Sequence, residues 1–304
     1  MLGKLLKYEF KATARMYFPL YLAVLLLALL GRLSIGGNIL NAAQVLESYG
    51  EGGGGLFSTF LGALAAIALV FYGLGLLGAY VVHFVITIQR FWKSLMGDEG
   101  YLMFTLPVSV DQLLWSKAIA AAVWGAATFL VVVLSVFVLA FQPWLAEAFG
   151  GYIAHELQEL GPAADLLWAI LGELFDGTFW GMMAVTLVLD TFSGIFLLYA
   201  AMAIGHTVRN HKVLASIGAY LGITMATSVV TSMVSAVAMP FAERGLDQID
   251  AVPVEDVQGL LAVMGQFGAA LNWTILAVLV AGLALAVGMY FAARYLLSTQ
   301  LNLE

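Results

Sequence analysis

Residues 56–89 read LFSTFLGALAAIALVFYGLGLLGAYVVHFVITIQ, a run without one Asp, Glu, Lys or Arg. A bilayer's hydrocarbon core is about 30 Å thick, and about 20 apolar residues in helical form cross it. At about 1.5 Å per residue, this run would reach about 50 Å as one helix, so it must tilt steeply or project from the membrane. Five further apolar runs lie at about 16–35, 117–144, 178–208, 213–241 and 269–298. The chain is 62% hydrophobic and 10% charged, with mean hydropathy +0.98, against about 25% charged residues in ordinary soluble domains. The expected fold is therefore an all-α membrane protein of six transmembrane helices, forming one membrane domain over residues 1–304, with no soluble domain left over.

Orientation follows from Lys and Arg, which accumulate on the cytoplasmic side. With the N-terminus inside, Lys4, Lys7, Lys11, Arg15, Arg90, Lys93, Lys117, Arg209, Lys212 and Arg294 are cytoplasmic, and only Arg32 and Arg244 of the 12 basic residues are external. The acids take the opposite side: Glu47, Glu51, Glu147, Glu156, Glu159, Asp165, Glu173, Asp176, Glu243, Asp247, Asp250, Glu255 and Asp256 are external. The net charge of −7 is mostly an outer-surface property and argues against nucleic acid as a partner. With no Cys there is no disulfide framework, thiol nucleophile or thiolate metal site. Basic residues before an apolar run suggest a secretory signal, but this run is span-length and no small-residue cleavage site follows, so it is expected to stay as a span.

Residues 1–15, MLGKLLKYEFKATAR, put Lys4, Lys7, Lys11 and Arg15 at helical spacing, with Leu2, Leu5, Leu6 and Phe10 largely on the other side. This pattern predicts an amphipathic elbow helix on the membrane surface, with Pro19 in the first turns of the span that follows. Gly52 to Gly55 predict a flexible first external loop. Residues 145–176 and 244–268 mix acids with Leu, Trp, Phe and Val at helical intervals, which predicts short external helices at the outer leaflet.

The segment 90–117, RFWKSLMGDEGYLMFTLPVSVDQLLWSK, is too apolar for a solvated loop and too charged to span. Phe91, Trp92, Tyr101, Leu102, Met103, Phe104, Leu106 and Trp115 call for a surface to pack on. Gly97 can end the preceding helix, Asp98 and Glu99 suit the start of a short new one, and Pro107 closes it.

Several motifs carry less than they promise. Gly73, Gly75 and Gly78 spell GxGxxG, but the dinucleotide fingerprint needs a strand before it and an exposed helix start, so these glycines read as helix-packing positions. Gly218, Gly222, Gly282, Ala286 and Gly288 read the same way. No GxxxxGK[ST] is present, so any ATP is bound by another polypeptide. His155-Glu156 lacks the second His of a zinc metalloprotease helix, Glu159 standing in its place. Thr191-Phe192-Ser193-Gly194 lacks the first Gly of a nucleophile elbow. No metal site and no catalytic residue is expected in the chain.

Asp190 lies near the middle of the fourth span, where an acid costs about 2.5–3.5 kcal/mol on insertion scales. Two roles are open to it: helix packing or gating, and proton or substrate handling. Thr224, Thr227, Ser228, Thr231 and Ser235 give the fifth span a hydroxyl-bearing face, readable as interhelical hydrogen bonding or as the wall of a translocation path. His206 and His211, in a short basic loop, read as contacts to lipid headgroups.

Asp98-Glu99-Gly100-Tyr101-Leu102-Met103-Phe104-Thr105-Leu106-Pro107-Val108-Ser109, with Leu113 and Lys117 following, resembles a stretch of the permease subunits of type-2 exporter family ABC transporters. In that family an acidic, then Gly-Tyr/Thr-Leu, then Leu-Pro-Val-Ser, then Lys pattern lies between long spans. The order of elbow, six spans and internal termini is similar too. The resemblance implies that Asp98, Glu99, Tyr101, Leu102, Phe104, Leu106 and Pro107 belong to a cytoplasmic coupling helix that docks in a separate ABC ATPase subunit, which binds ATP and Mg. It further implies two permease subunits, as a homodimer or heterodimer, in a bacterial plasma membrane, and it favours the Thr224 to Ser235 face as pathway lining. The acidic outer loops depart from better-known members, so substrate does not carry over. A proton-coupled secondary transporter using Asp190 and a non-transporting membrane scaffold or sensor remain the alternatives.

Overall fold

A computed structural model describes residues 2–49, 56–97, 100, 105, 107–140, 143–208, 210–249 and 256–299. All regular structure among them is helical. The α-helices are α1 (Leu2–Tyr49), α2 (Leu56–Phe91), α3 (Val110–Ala140), α4 (Pro143–Leu160), α5 (Pro162–Leu174), α6 (Gly177–Thr207), α7 (Lys212–Ile249) and α8 (Val257–Thr299), with a π-helical turn at Trp92–Met96. Six of them, α1, α2, α3, α6, α7 and α8, contain stretches long and apolar enough to cross a membrane. The described chain divides into two compact units, residues 1–90 with 119–154, and residues 91–118 with 155–304.

Unit 1 is organised by one stripe of α1. Glu9, Thr13, Tyr17, Tyr21, Val24 and Ala28 recur every three or four residues and are all buried, as one face of a 3.6-residue helix requires. Lys4, Lys7, Lys11 and Arg15 lie exposed on the other side. Because the stripe keeps its register from Glu9 to Ala28, residues 1–15 are not a separate elbow helix but the first turns of α1. Pro19 sits inside α1 on an exposed face, so its ring does not interrupt the stripe.

Polar groups of α2 and α3 complete that stripe. The Arg90 guanidinium pairs with the Glu9 carboxylate at 2.7 Å. Trp124 Nε1 donates to Thr13 Oγ1 at 2.7 Å, and the Trp124 ring stacks on Tyr17 with centroids 4.4 Å apart and planes 8° from parallel. Tyr17 Oη bonds His83 Nδ1 at 2.8 Å. Tyr21 Oη donates to the Trp124 carbonyl at 3.1 Å and lies 2.9 Å from Thr128 Oγ1. Higher along α2 and α3, Tyr72 and Ser135 share a hydrogen bond of 2.9 Å. Within a membrane, such groups must be satisfied by each other, because no water is there to replace them.

In unit 2, α6, α7 and α8 pack on one another and α5 rests on α8. Only a few glycines allow close approach. A Cβ on Gly205 would fall 1.9 Å from Ser216 Oγ and 2.6 Å from Ser216 Cα, so the α6–α7 hairpin closes on bare backbone there. His211 takes positive φ, 61°, in the turn of that hairpin. At Gly268 a Cβ would meet the Glu173 carbonyl oxygen at 2.6 Å, which brings the end of α5 onto α8. Gly73, Gly78, Gly218, Gly222, Gly282 and Gly288, expected as packing positions, have nothing within 4 Å of a built Cβ, whereas Gly75 does face Leu27 of α1.

Two boundaries differ from the sequence expectation and one agrees with it. α1 continues through 36–49, where a loop was expected, because the polypeptide from Gly37 to Tyr49 contains no proline and satisfies its backbone groups as helix. The short helices expected in 145–176 are present as α4 and α5. Residues 244–268 form no short helices of their own among the described residues; α7 runs on to Ile249 and α8 starts at Val257. With 48, 38 and 43 residues, α1, α7 and α8 are about 72, 57 and 65 Å long, well beyond one bilayer's hydrocarbon core.

Candidate functional site

The two arms that flank residues 98–109 pack against α6 and α8 within unit 2. On the first arm, Phe91 is fully buried and stacks on Tyr199 of α6, with ring centroids 4.0 Å apart. The π-helical turn then sinks Ser94, Leu95 and Met96 into the interior, an arrangement in which the inserted residue shifts the helix face inward. Trp92 packs on His206 with centroids at 4.6 Å. His206 is therefore a packing residue against this arm rather than a free headgroup contact, and its Nε2 is buried without a hydrogen-bond partner among the described residues. Gly97 ends the turn in extended conformation, φ −97° and ψ −168°, as its position in the sequence led one to expect.

On the second arm, Ser109 opens α3, its Oγ accepting from Gln112 N at 3.3 Å. Asp111, in the first turn, accepts from Tyr290 Oη and from Arg294 Nε at 2.9 Å, both on α8. Leu113, Leu114, Ser116, Lys117 and Ala118 are buried, and Lys117 is among the residues with an interaction partner. Trp115 lies in an aromatic nest with Phe192 and Phe196 of α6 and Tyr290 of α8, centroids 5.3–6.0 Å away. A cleft of about 430 Å³ opens beside this arm, with Ser109, Asp111, Arg294 and Ser298 on its walls. The residues on either side of 98–109 thus meet α6 through stacked rings and α8 through an ion pair and rings.

The sequence-predicted site residues fall in different places. Asp98, Glu99, Tyr101, Leu102, Phe104 and Leu106 lie outside the described residues, while Pro107 is described and exposed. Asp190 is exposed on α6 and makes no hydrogen bond or ion pair among the described residues. Thr224, Thr227 and Thr231 donate to carbonyls three or four residues earlier in their own helix, at 2.8–3.1 Å, so these hydroxyls are satisfied without a neighbouring helix. Ser228 is exposed and Ser235 half-buried. His155 and Glu159 form an exposed i,i+4 contact of 3.7 Å.

Sequence reasoning missed Phe91–Tyr199, the Trp115 nest and the Asp111–Tyr290–Arg294 group. Asp111 and Arg294 carried a signal, each being a charge at the edge of an apolar run, but nothing in the sequence paired them. It also missed Asp176, which caps α6 by accepting from Phe179 N at 2.7 Å. That backbone hydrogen bond, ahead of the Thr178 hydroxyl, holds the Asp176 carboxyl below the usual carboxylate range. Its contribution to the cap is complete above the ordinary carboxylate pKa and is lost as pH falls through the lowered value.

Helical throughout the regular structure of its described residues, with six helices long and apolar enough to cross a membrane, the molecule has the architecture of a multi-pass helical membrane protein. Comparison with family models, with curated proteins and with solved structures gives no match.

Proposed function

We propose that this chain is the membrane-spanning subunit of an ATP-driven ABC transporter, an exporter of a hydrophobic or amphipathic substrate, in a plasma membrane with both termini cytoplasmic. Residues 98–109 would dock a separate ATPase subunit, and a second permease copy or homologue would complete the transporter. The observation that carries this reading is the anchoring of both arms of the segment: Phe91 on Tyr199, and Trp115 with Asp111 on α6 and α8. Cooperative closure of a partner ATPase could pull on this segment and shift α6 and α8 between two arrangements, a population shift driven by nucleotide. The positive-inside bias and the absence of a phosphate-binding loop support the same reading.

Two variants test it. Phe104→Glu with Leu106→Glu is expected to abolish co-purification of a nucleotide-binding subunit while the protein still reaches the membrane; undiminished association would remove the docking role. Asp111→Ala is expected to leave that association intact and to lower substrate-stimulated ATP hydrolysis about tenfold, because the lever is cut from α8. Its stability cost is small, about 1 kcal/mol, since the Asp111 and Arg294 side chains are 35% and 47% exposed. Loss of association in Asp111→Ala would show that Asp111 serves docking instead of transmission. Asp190→Asn separates this mechanism from a proton-coupled carrier: ATP-driven transport should survive it.

A further inference from the structure

One face of α6 repeats in alternating steps of three and four residues. Trp180, Met183, Leu187, Asp190 and Gly194 stand 3, 4, 3 and 4 positions apart, the spacing of the seam along which two helices pair in a left-handed supercoil. All five are exposed, Trp180 at 63% and Leu187 at 65%, and a Cβ on Gly194 would meet nothing within 4 Å. Beyond Gly194 the helix is enclosed, with Ile195, Phe196, Leu198, Tyr199 and Ala200 all buried. The exposed seam therefore occupies the first half of α6.

Asp190 makes this seam costly to leave open to lipid. It is the only Asp, Glu, Lys or Arg of α6, and it lies 13 residues from Gly177 and 17 from Thr207, about 20 and 26 Å from the two helix ends. Its carboxyl makes no hydrogen bond or ion pair among the described residues. Acyl chains can offer it none, and an acid facing hydrocarbon at that depth is strongly disfavoured. Thr191 beside it turns its hydroxyl to the Leu187 carbonyl of its own helix at 2.8 Å. A partner for this face must therefore bring a polar group to the depth of Asp190. A second copy does so automatically: the Lys and Arg bias orients every copy the same way, and in a parallel, two-fold seam each residue meets its own counterpart.

We propose that α6 pairs with α6 of a second copy along Trp180 to Gly194, about a two-fold axis normal to the membrane, with the two Asp190 carboxyls hydrogen-bonded across it. Two carboxylates offer only acceptors, so the pair shares a proton. Apolar contact alone gives little drive in lipid, because acyl chains are as apolar as Leu187; the hydrogen bond selects the partner and fixes the register. Gly194, without a side chain, lets the two backbones approach at the inner end of the seam. That this pair is the transporter's own dimer rests on the proposed function; that it forms does not.

The chain has no Cys, so an introduced one is its sole thiol. Full-length chains carrying Met183→Cys, Leu187→Cys, Val185→Cys or Val188→Cys are reconstituted dilutely in phosphatidylcholine vesicles, without ATPase or nucleotide, and oxidised with copper–phenanthroline. Disulfide-linked dimers are expected at 183 and 187, on the seam. At least about tenfold fewer are expected at 185 and 188, which are equally exposed to collision but lie on other faces of the helix. In the Leu187→Cys background, Asp190→Leu is expected to cut the yield at least about tenfold, whereas Asp190→Asn, whose amide both donates and accepts, preserves it. Because Asp190 bonds nothing in its own chain among the described residues, neither change should disturb the fold. Absence of dimers at 183 and 187, equal yields at 185 and 188, or an undiminished yield with Asp190→Leu would overturn the proposal. A failed transporter reading would appear instead as lost ATPase association with the disulfide pattern intact.

Discussion

Gly205→Val is expected to be the most damaging single substitution in the chain. The α6–α7 hairpin closes where Gly205 faces Ser216, and a Cβ at 205 would lie 1.9 Å from Ser216 Oγ, 2.5 Å from its backbone nitrogen and 2.6 Å from its Cα. The hydroxyl can move away, but the backbone of α7 cannot without separating the two helices. Overpacking a rigid contact costs about 1–3 kcal/mol in ordinary cores, and a clash with backbone lies at the upper end or beyond. Loss of the monodisperse peak in size-exclusion chromatography, or a melting temperature lowered by several degrees in detergent, is the expected outcome. Gly205→Val combined with Ser216→Gly should fail equally, since the clash with the backbone of residue 216 persists when its hydroxyl is gone. Gly218→Val, facing open space on the same hairpin, should be close to neutral; equal behaviour of the 205 and 218 variants would refute the packing argument.

Trp124→Ala is expected to have the next largest effect, about 3 kcal/mol, the low end of the range for deleting a large aromatic because Trp124 is half-buried. The substitution removes the stack on Tyr17, the edge contact to Phe18, and the donor to Thr13. Thr13 keeps the bond it donates to the Glu9 carbonyl at 2.8 Å, so the damage concentrates at Tyr17 and Tyr21. Trp124→Phe preserves most of the stack and loses only the Nε1 donor, for which about 1 kcal/mol is expected. Chemical denaturation in mixed micelles distinguishes the two. Near-equal losses would mean that the hydrogen bond, and not the stack, holds α3 to α1.

Much of the architecture was legible in the one-dimensional pattern. All six apolar runs correspond to helices of spanning length and hydropathy, because bilayer thickness imposes a minimum length that composition records directly. Gly97 as a helix end and the short helices in 145–176 were readable from local chemistry in the same way. No separate elbow helix is seen, for an instructive reason. Lys4, Lys7, Lys11 and Arg15 do form an exposed basic face, yet the pattern cannot say whether the opposite face meets lipid or protein. Glu9 and Thr13 settle that only once Arg90 and Trp124 stand against them.

The candidate site divides similarly. Its central residues stood out as an apolar stretch between charged ends, but the partners of its arms are remote in sequence: Phe91 meets Tyr199, and Asp111 meets Tyr290 and Arg294. What the sequence by itself determined is the membrane class, the number of long apolar helices and the boundaries set by glycine, proline and charge, all properties of local composition against a bilayer of fixed thickness. Only the tertiary structure decided which glycines lie against a neighbouring helix, that α1 runs unbroken through Pro19, and that Phe91 meets α6 while Asp111 and Trp115 meet α6 and α8. Those outcomes depend on which faces of distant helices meet, and Gly205 and Gly218 look alike until Ser216 is found 1.9 Å from a Cβ at one and nothing within 4 Å of the other.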